Sequence, residues 1–243
     1  MYGQRLAEVY DLIYGEGIGK DYAAEASALT ALVRERNPGA ASLLDVACGT
    51  GEHLVHLREH FAHVEGLELS EPMRAIAVAK LPDVAIHAGD MRDFHVGRAF
   101  DAVLCLFSAI GYVGSTEELH AALTCLAEHL SPGGVLIVEP WFQPDQWRDG
   151  SVNLTTGERD GTTVVRLSHS SREGRRSYTV MHYLVGDASG IIHFTDRHEL
   201  SLFTATEYAE AFRAAGLTDL VEVEGWSKGR GRLIATRPNQ GEA

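Results

Sequence analysis

The segment Leu43-Leu44-Asp45-Val46-Ala47-Cys48-Gly49-Thr50-Gly51 decides how the rest of the chain is read. An apolar run ends in an acid and passes into a Gly-x-Gly turn. A buried parallel strand that empties into glycines opens a ligand crevice at the carboxyl end of a sheet. Glycine lets the backbone approach a ligand closely and take positive φ at little cost. Outward from this point, apolar strands alternate with helical periods. A helix is predicted over 21–36 and ended by Pro38-Gly39, then a strand over 42–47, a helix over 52–61, a strand over 64–69 and a helix over 71–80. A short strand at 84–87, a strand at 102–107, a helix at 116–130, the turn Pro132-Gly133-Gly134 and a strand at 135–139 complete the series. This alternation predicts an α/β fold with a parallel sheet covered on both faces.

Near residue 142 the pattern changes. Residues 151–203 show no helical period; 162–169, 177–185 and 192–202 alternate apolar and polar, with turn signals at Asp160-Gly161, Glu173-Gly174 and Ser189-Gly190. That predicts an antiparallel meander inserted after the fifth strand. A helical period returns at 206–215, two strands follow at 217–223 and 232–236, and the last few residues are expected to fray. At the other end, Tyr2, Tyr10, Tyr14 and Tyr22 are interrupted by Gly15, Gly17 and Gly19, which predicts a partly looped segment.

Composition narrows the function classes. The 243 residues suit one domain, or one with an insertion, and 45% hydrophobic content suits a real core. A net charge of −13 argues against nucleic acid or an anionic membrane as partner, since both need a basic face. The three cysteines, Cys48, Cys105 and Cys125, lack metal spacing and read as reduced and mostly buried. There is no charged-then-apolar leader pattern and no apolar run near the ~20 residues of a membrane span, so a cytoplasmic protein is expected.

The site chemistry rests on four segments. Gly49-Thr50-Gly51-Glu52-His53-Leu54 lacks the third glycine of a dinucleotide-binding turn. Asp45 would repel a pyrophosphate but suits a cofactor bearing an ammonium group. Glu68, at the end of the second strand, can accept both hydroxyls of a ribose. In Gly89-Asp90-Met91-Arg92-Asp93 the first Asp can accept from an adenine amine while a backbone N–H reads the ring. Leu130-Ser131-Pro132-Gly133-Gly134 precedes the fifth strand. The plainer alternative for Glu68 and Asp90 is a pair of solvated loop acids. His53, His56, His60 and His63 share a helical face, read as solvated rather than as a metal site.

In this order and spacing the four segments resemble the S-adenosylmethionine-dependent methyltransferases of the Rossmann-like class I fold. The resemblance implies a cofactor site of Asp45, Ala47, Gly49, Gly51, Glu68, Leu69, Asp90, Met91 and Leu106. A closer resemblance runs nearly the whole length. Gly19-Lys20-Asp21-Tyr22-Ala23-Ala24-Glu25-Ala26, Gly66-Leu67-Glu68-Leu69-Ser70, Val138-Glu139-Pro140-Trp141-Phe142 and Ser168-His169-Ser170-Ser171-Arg172-Glu173-Gly174 are similar to the N,N-dimethyltransferases of dTDP-aminosugars. Those enzymes finish desosamine-, mycaminose- and forosamine-type sugars for antibiotics, and several are dimers. The resemblance implies one methyltransferase domain, with a cofactor core over 20–141 and a sheet over 150–203 covering the substrate. It implies Tyr10 and Tyr22 over the cofactor's carboxylate end, and Tyr2 and Tyr112 beside the reacting amine, for which packing is the reading of Tyr14.

From the residues themselves, the glycine loop Ser227-Lys228-Gly229-Arg230-Gly231-Arg232 gathers cations in an acidic chain and, with Arg172, forms a credible diphosphate clamp. A solvated turn is the alternative for Lys228 and Arg232. The resemblance places Arg230 in the nucleotide-binding loop. Many relatives have Gly-Gly-Pro-Ser-Gly-Arg-Gly there; this chain has Gly225-Trp226-Ser227-Lys228-Gly229-Arg230-Gly231. Trp141 and Phe142 either stack on thymine, line the sugar pocket, or plug the base of the inserted sheet. The expected reaction is in-line displacement of a methyl by a sugar amine, driven mainly by positioning. Alternatives are a small-molecule O- or N-methyltransferase with a non-nucleotide acceptor, and a non-catalytic cofactor-binding protein.

Overall fold

In the computed structural model, residues 3–226 and 230–239 are described. The chain begins with helix α1 (Gln4–Asp11), continued by a π-helical turn, Leu12–Gly17. It then runs through α2 (Tyr22–Arg36), β1 (Ser42–Val46), α3 (Glu52–Leu57), β2 (His63–Glu68), α4 (Glu71–Lys80), β3 (Ala85–Ala88) and β4 (Phe100–Cys105). A 3-10 turn, Ala109–Tyr112, leads to α5 (Thr116–Glu128) and β5 (Leu130–Val138). Four antiparallel strands follow: β6 (Val152–Arg159), β7 (Thr162–Glu173), β8 (Arg176–Asp187) and β9 (Gly190–Ser201). Helix α6 (Ala205–Ala214) and strands β10 (Thr218–Glu224) and β11 (Gly231–Thr236) end the fold.

The main sheet has seven strands in the order β10-β11-β5-β4-β1-β2-β3. β1 to β5 pair in parallel, and β11 and β10 add antiparallel at one edge. Chain order reverses between β1 and β4, and a crevice at such a switch point is where open α/β sheets take ligands. Two apolar layers sandwich the sheet. Leu119, Leu123, Leu126, Tyr208 and Phe212 of α5 and α6 cover one face, and Leu29, Val33, Leu54 and Leu57 of α2 and α3 cover the other. β1 is buried throughout, as an apolar central strand requires.

Four expectations need correction. The N-terminal segment is helical over 4–17, with only 18–21 left as the expected loop, where Gly19 has φ +65°. Its Leu6, Val9, Tyr10, Ile13 and Tyr14 are buried against Met73, Met181 and Tyr183, so tertiary packing overrides the glycines. The meander has four strands, because 152–159 also pairs; the three predicted turns stand, with Gly161 and Gly174 at φ +75° and +58°. The helix after the glycine turn stops at Leu57, not at 61, so His60 and His63 lie beyond it. His53 is not solvated: it is buried, and its Nε2 lies 2.8 Å from Glu25 Oε2.

Candidate active site

The glycine turn is held by charge and hydrogen bonds from three directions. Gly49 and Gly51 have φ +60° and +80°, and Gly51 caps α3 where a Cβ would come within 2.9 Å of Leu81. Glu68 accepts from the Gly49 N–H (2.9 Å) and the Ser70 N–H (2.7 Å), tying the end of β2 to the turn after β1. Thr50 donates to Asp11 (2.5 Å), which also receives Lys80 (2.8 Å), and this locks α1 over the turn. Ala47, Phe107 and Ser108 are non-glycine residues with φ between 52° and 61°, all at the ends of β1 and β4. Such strain gathers where surrounding structure fixes a working geometry.

Here Glu139, buried beyond the end of β5, supplies that support. Its carboxylate accepts from the Phe107 N–H (2.9 Å) and its own N–H donates to the Cys105 carbonyl (2.9 Å). Ser108 donates to the Pro140 carbonyl (2.8 Å), and Arg230 donates to Ser108 Oγ (2.8 Å) while lying 3.9 Å from Glu139.

Around these turns lie linked cavities. A narrow one of about 40 Å³ is bordered by Tyr10, Lys20, Tyr22, Asp45, Ala47, Gly49 and Leu106, with Cys48, Thr50, Glu52, His53 and Phe107. A second, of about 100 Å³, shares Ala47 and continues along Leu67, Leu69, Gly89, Asp90, Met91, Arg92, Tyr112 and Val113. A third, of about 260 Å³, opens under the antiparallel sheet. It shares Phe107 with the first and Tyr112 with the second, and adds Tyr14, Trp141, Arg166, Ser168, Met181, His198 and Arg230. Arg230 and Trp141 also border a fourth, of about 220 Å³, with Gln143, Gln146, Tyr208 and Glu222.

Electrostatics differ from cavity to cavity. Burial pushes the Asp45 carboxyl up to about 8, with neighbouring Glu68 adding to it. Burial also raises Glu68, against the pull of its backbone donors. Lys20 enters the first cavity with its ammonium 2.5 Å from Glu25 and over the rings of Tyr22 and Phe107. Burial works to raise Glu25, but hydrogen bonds from His53 and Lys20 outweigh it and hold the carboxylate below its usual range. Asp90 lies below its usual range because Arg92 grips both its oxygens, at 2.9 and 2.6 Å. The third cavity is cationic: burial lowers Arg230, and its Nε, like that of Arg166, is buried with no hydrogen-bond partner among the described residues.

The structure thus brings together Tyr10, Tyr22, Asp45, Ala47, Gly49 and Leu106 at one end, and Leu69, Asp90 and Met91 at the other. Glu68 and Gly51 shape the turn between them without bordering either cavity. Phe142 lies behind Trp141, 4.8 Å between ring centres. Arg172 stays apart: it donates to the Gly174 and Pro144 carbonyls and borders none of the four cavities. Arg232 is neither solvated nor aimed at the chamber, since it is buried, binds the Glu224 carbonyl and stacks on Trp226. Tyr2 and Lys228 lie outside the described residues. Tyr14 packs and also borders the chamber. Sequence reasoning missed Lys20, Glu139, Arg166 and His198. Lys20 and Glu139 lay in quoted segments; Arg166 and His198 sit on strands whose inward face only the register reveals.

A family described as a methyltransferase domain matches residues 43–134. A dTDP-3-amino-3,4,6-trideoxy-alpha-D-glucopyranose N,N-dimethyltransferase of Streptomyces venezuelae is 52% identical over 96% of this chain and 98% of its own length. The crystal structure of DesVI from the same organism superposes with a TM-score of 0.91 at 51% identity, covering 96% of this chain and 99% of that one. SAM-bound CalS10, an amino pentose methyltransferase from Micromonospora echinaspora, gives 0.85 at 45% identity, covering 98% of each chain.

Proposed function

We propose, from the premise that this chain belongs to the S-adenosylmethionine-dependent methyltransferases and within them to the family of the dTDP-aminosugar N,N-dimethyltransferases, that it methylates the amine of an amino-deoxysugar carried on dTDP. The donor set fits the cofactor. Asp45 suits the ammonium of its methionine end and Lys20 the carboxylate, with Tyr10 and Tyr22 closing over them. Leu67, Leu69 and Met91 offer apolar surface to a purine, and Asp90 an acceptor for its amine. When bound, S-adenosylmethionine supplies an electrophilic methyl on a sulfonium.

The observation that carries the acceptor reading is Arg230. It stands between the chamber under the antiparallel sheet and the fourth cavity, with an unpartnered buried Nε, as does Arg166 across the chamber. A diphosphate satisfies guanidinium donors bidentately, which leaves the sugar to the chamber and the pyrimidine to the cavity beside Trp141, Gln143 and Gln146. The residues then need mainly to aim the nitrogen and exclude water, and such positioning supplies roughly 7–11 kcal/mol of barrier reduction.

In this reading the chain works as one cytoplasmic unit, with 20–141 holding the cofactor and 150–203 roofing the acceptor. A second copy binds the outer face of that roof, where Val152, Leu154, Leu167, Leu184 and Ile191 are exposed on adjacent strands. The test offers a panel of dTDP-aminosugars with the methyl donor and identifies products by mass spectrometry. Mass gains of one or two methyls on a nucleotide sugar support the reading. Methylation confined to non-nucleotide amines or hydroxyls, with no thermal protection by dTDP, refutes it.

A further inference from the structure

Tyr112 borders both the cavity along Asp90 and Met91 and the chamber under the antiparallel sheet, so the residue stands between the two. Behind it lies a second layer. Tyr112 Oη is hydrogen-bonded to Nδ1 of His198, a buried residue of β9 whose ring centre is 5.9 Å from the tyrosine ring. On the far side of the imidazole, Nε2 lies 3.2 Å from Oδ2 of Asp196. Residues two apart on a strand face the same side, so β9 delivers both groups to the chamber together. The register is pinned where Ser201 at the end of β9 donates to the Val113 carbonyl (2.7 Å), one residue past Tyr112.

An ionised carboxylate offers no donor, so Asp196, 3.2 Å from Nε2, favours the N–H on that nitrogen and leaves the Nδ1 lone pair facing the Tyr112 hydroxyl. Burial pushes Asp196 upward, but its hydrogen bond and charge interaction with His198 more than reverse this and keep it ionised. The other titratable and charged groups that face the imidazole are those of the chamber wall: Tyr14, Arg166 and Arg230.

We infer that His198 and Asp196 are positioning residues that turn Tyr112 into a proton relay for the acceptor amine. The inference rests on the aminosugar reading above. The step balances without a further reactant. The ammonium nitrogen of the sugar releases one proton to Tyr112 Oη and keeps its lone pair. The hydroxyl proton of Tyr112 passes to His198 Nδ1 as the O–H bond breaks, and the resulting imidazolium is stabilised by Asp196. The proton returns to solvent when product leaves.

Nitrogen NMR of histidine-labelled, full-length protein without methyl donor tests this directly. On adding a dTDP-aminosugar, His198 passes from the Nε2–H tautomer to the doubly protonated ring, whereas dTDP alone leaves it unchanged. Kinetics give a second readout. His198→Gln and Asp196→Asn each lower kcat by about a hundredfold and abolish its acid-side fall, while KM for the nucleotide sugar stays within about threefold. Tyr112→Phe costs between about tenfold and a thousandfold, a larger loss contradicting the dominance of positioning. An imidazole that stays neutral while the aminosugar binds and is methylated overturns the relay alone. Failure of the wild-type protein to bind any dTDP-aminosugar overturns the functional reading and the relay with it.

Discussion

Cofactor binding should be coupled to the loss of a proton from Asp45, and the structure sets the size of the effect. The carboxyl titrates at about 8 in the ligand-free protein, chiefly because it is buried. An ammonium is received well only by the ionised form. With that midpoint, about 1% of molecules are ready at pH 6, about 9% at pH 7 and about half at pH 8. Apparent affinity therefore rises roughly eightfold from pH 6 to 7, about 1.2 kcal/mol, and peaks near pH 8, above which the cofactor's own α-ammonium, with a pKa of about 7.7–8.0, loses its proton. Calorimetry in two buffers of different ionisation enthalpy reads the same event as a net release of about 0.8 proton per cofactor at pH 7. Asp45→Asn should bind more weakly and without the rise from pH 6 to 7.

The linkage has a stability side with a definite sign. Since the folded pKa is raised from 3.8 to about 8, the folded state keeps a proton that the unfolded chain has lost across that window. The contribution of Asp45 to folding stability therefore declines as pH rises from about 4 to 8. An affinity that changes less than about twofold between pH 6 and 8, with no dependence of the heat on buffer, would refute the assignment of Asp45 to the cofactor's cation.

Glu68→Ala leaves the Gly49 and Ser70 N–H groups without their acceptor, which should lower the melting temperature. On the proposed ribose contact it also removes a charged hydrogen bond of about 1.5–3 kcal/mol, so S-adenosylhomocysteine should bind at least about tenfold more weakly by titration, and a loss within threefold contradicts the placement. Arg230→Ala should raise the dissociation constant of dTDP by about 10- to 150-fold, the equivalent of about 1.5–3 kcal/mol for charged hydrogen bonds, and cancel its thermal protection; unchanged protection places the diphosphate elsewhere. Leu154→Glu combined with Leu167→Glu, on paired positions of β6 and β7 that are 67% and 48% exposed, should leave a monomer in sedimentation at micromolar concentration. Methyl transfer should persist in that variant, since the chamber lies under the other face of the sheet.

Much of this was legible because local chemistry and global fold agree along 42–139. The strand that carries Asp45 is apolar and short, its turn needs glycine, and each later segment repeats the pattern, so type and order of elements follow from the chain. The N-terminal helix was hidden for the opposite reason. Gly15 and Gly17 disfavour helix locally, and only burial of Ile13 and Tyr14 against the inserted sheet overrides them. The strand over 152–159 escaped because apolar alternation stops at Leu154 and the Thr-Thr-Gly-Glu-Arg that follows is polar on both faces. The grip of Arg92 on Asp90 was not foreseen, although the two lie in one quoted segment. His198 gave no signal at all, since its meaning lies in Tyr112, 86 positions away.

The arrangement also explains how a chain with net charge −13 can serve an anionic substrate. Charge is local rather than global. In the proposed reading a buried carboxylate, Asp45, meets the cofactor's cation, and guanidinium groups, Arg166 and Arg230, meet the diphosphate. Glu139 stands between these regions and keeps them in fixed relation. One of its oxygens holds the Phe107 N–H in the strained turn that walls both cofactor and acceptor cavities, and the other faces Arg230. Replacing it with Gln preserves one hydrogen-bond acceptor but removes the charge that offsets burial of Arg230. In that view Glu139 fixes the distance between donor and acceptor, the quantity on which a reaction driven by positioning depends most steeply.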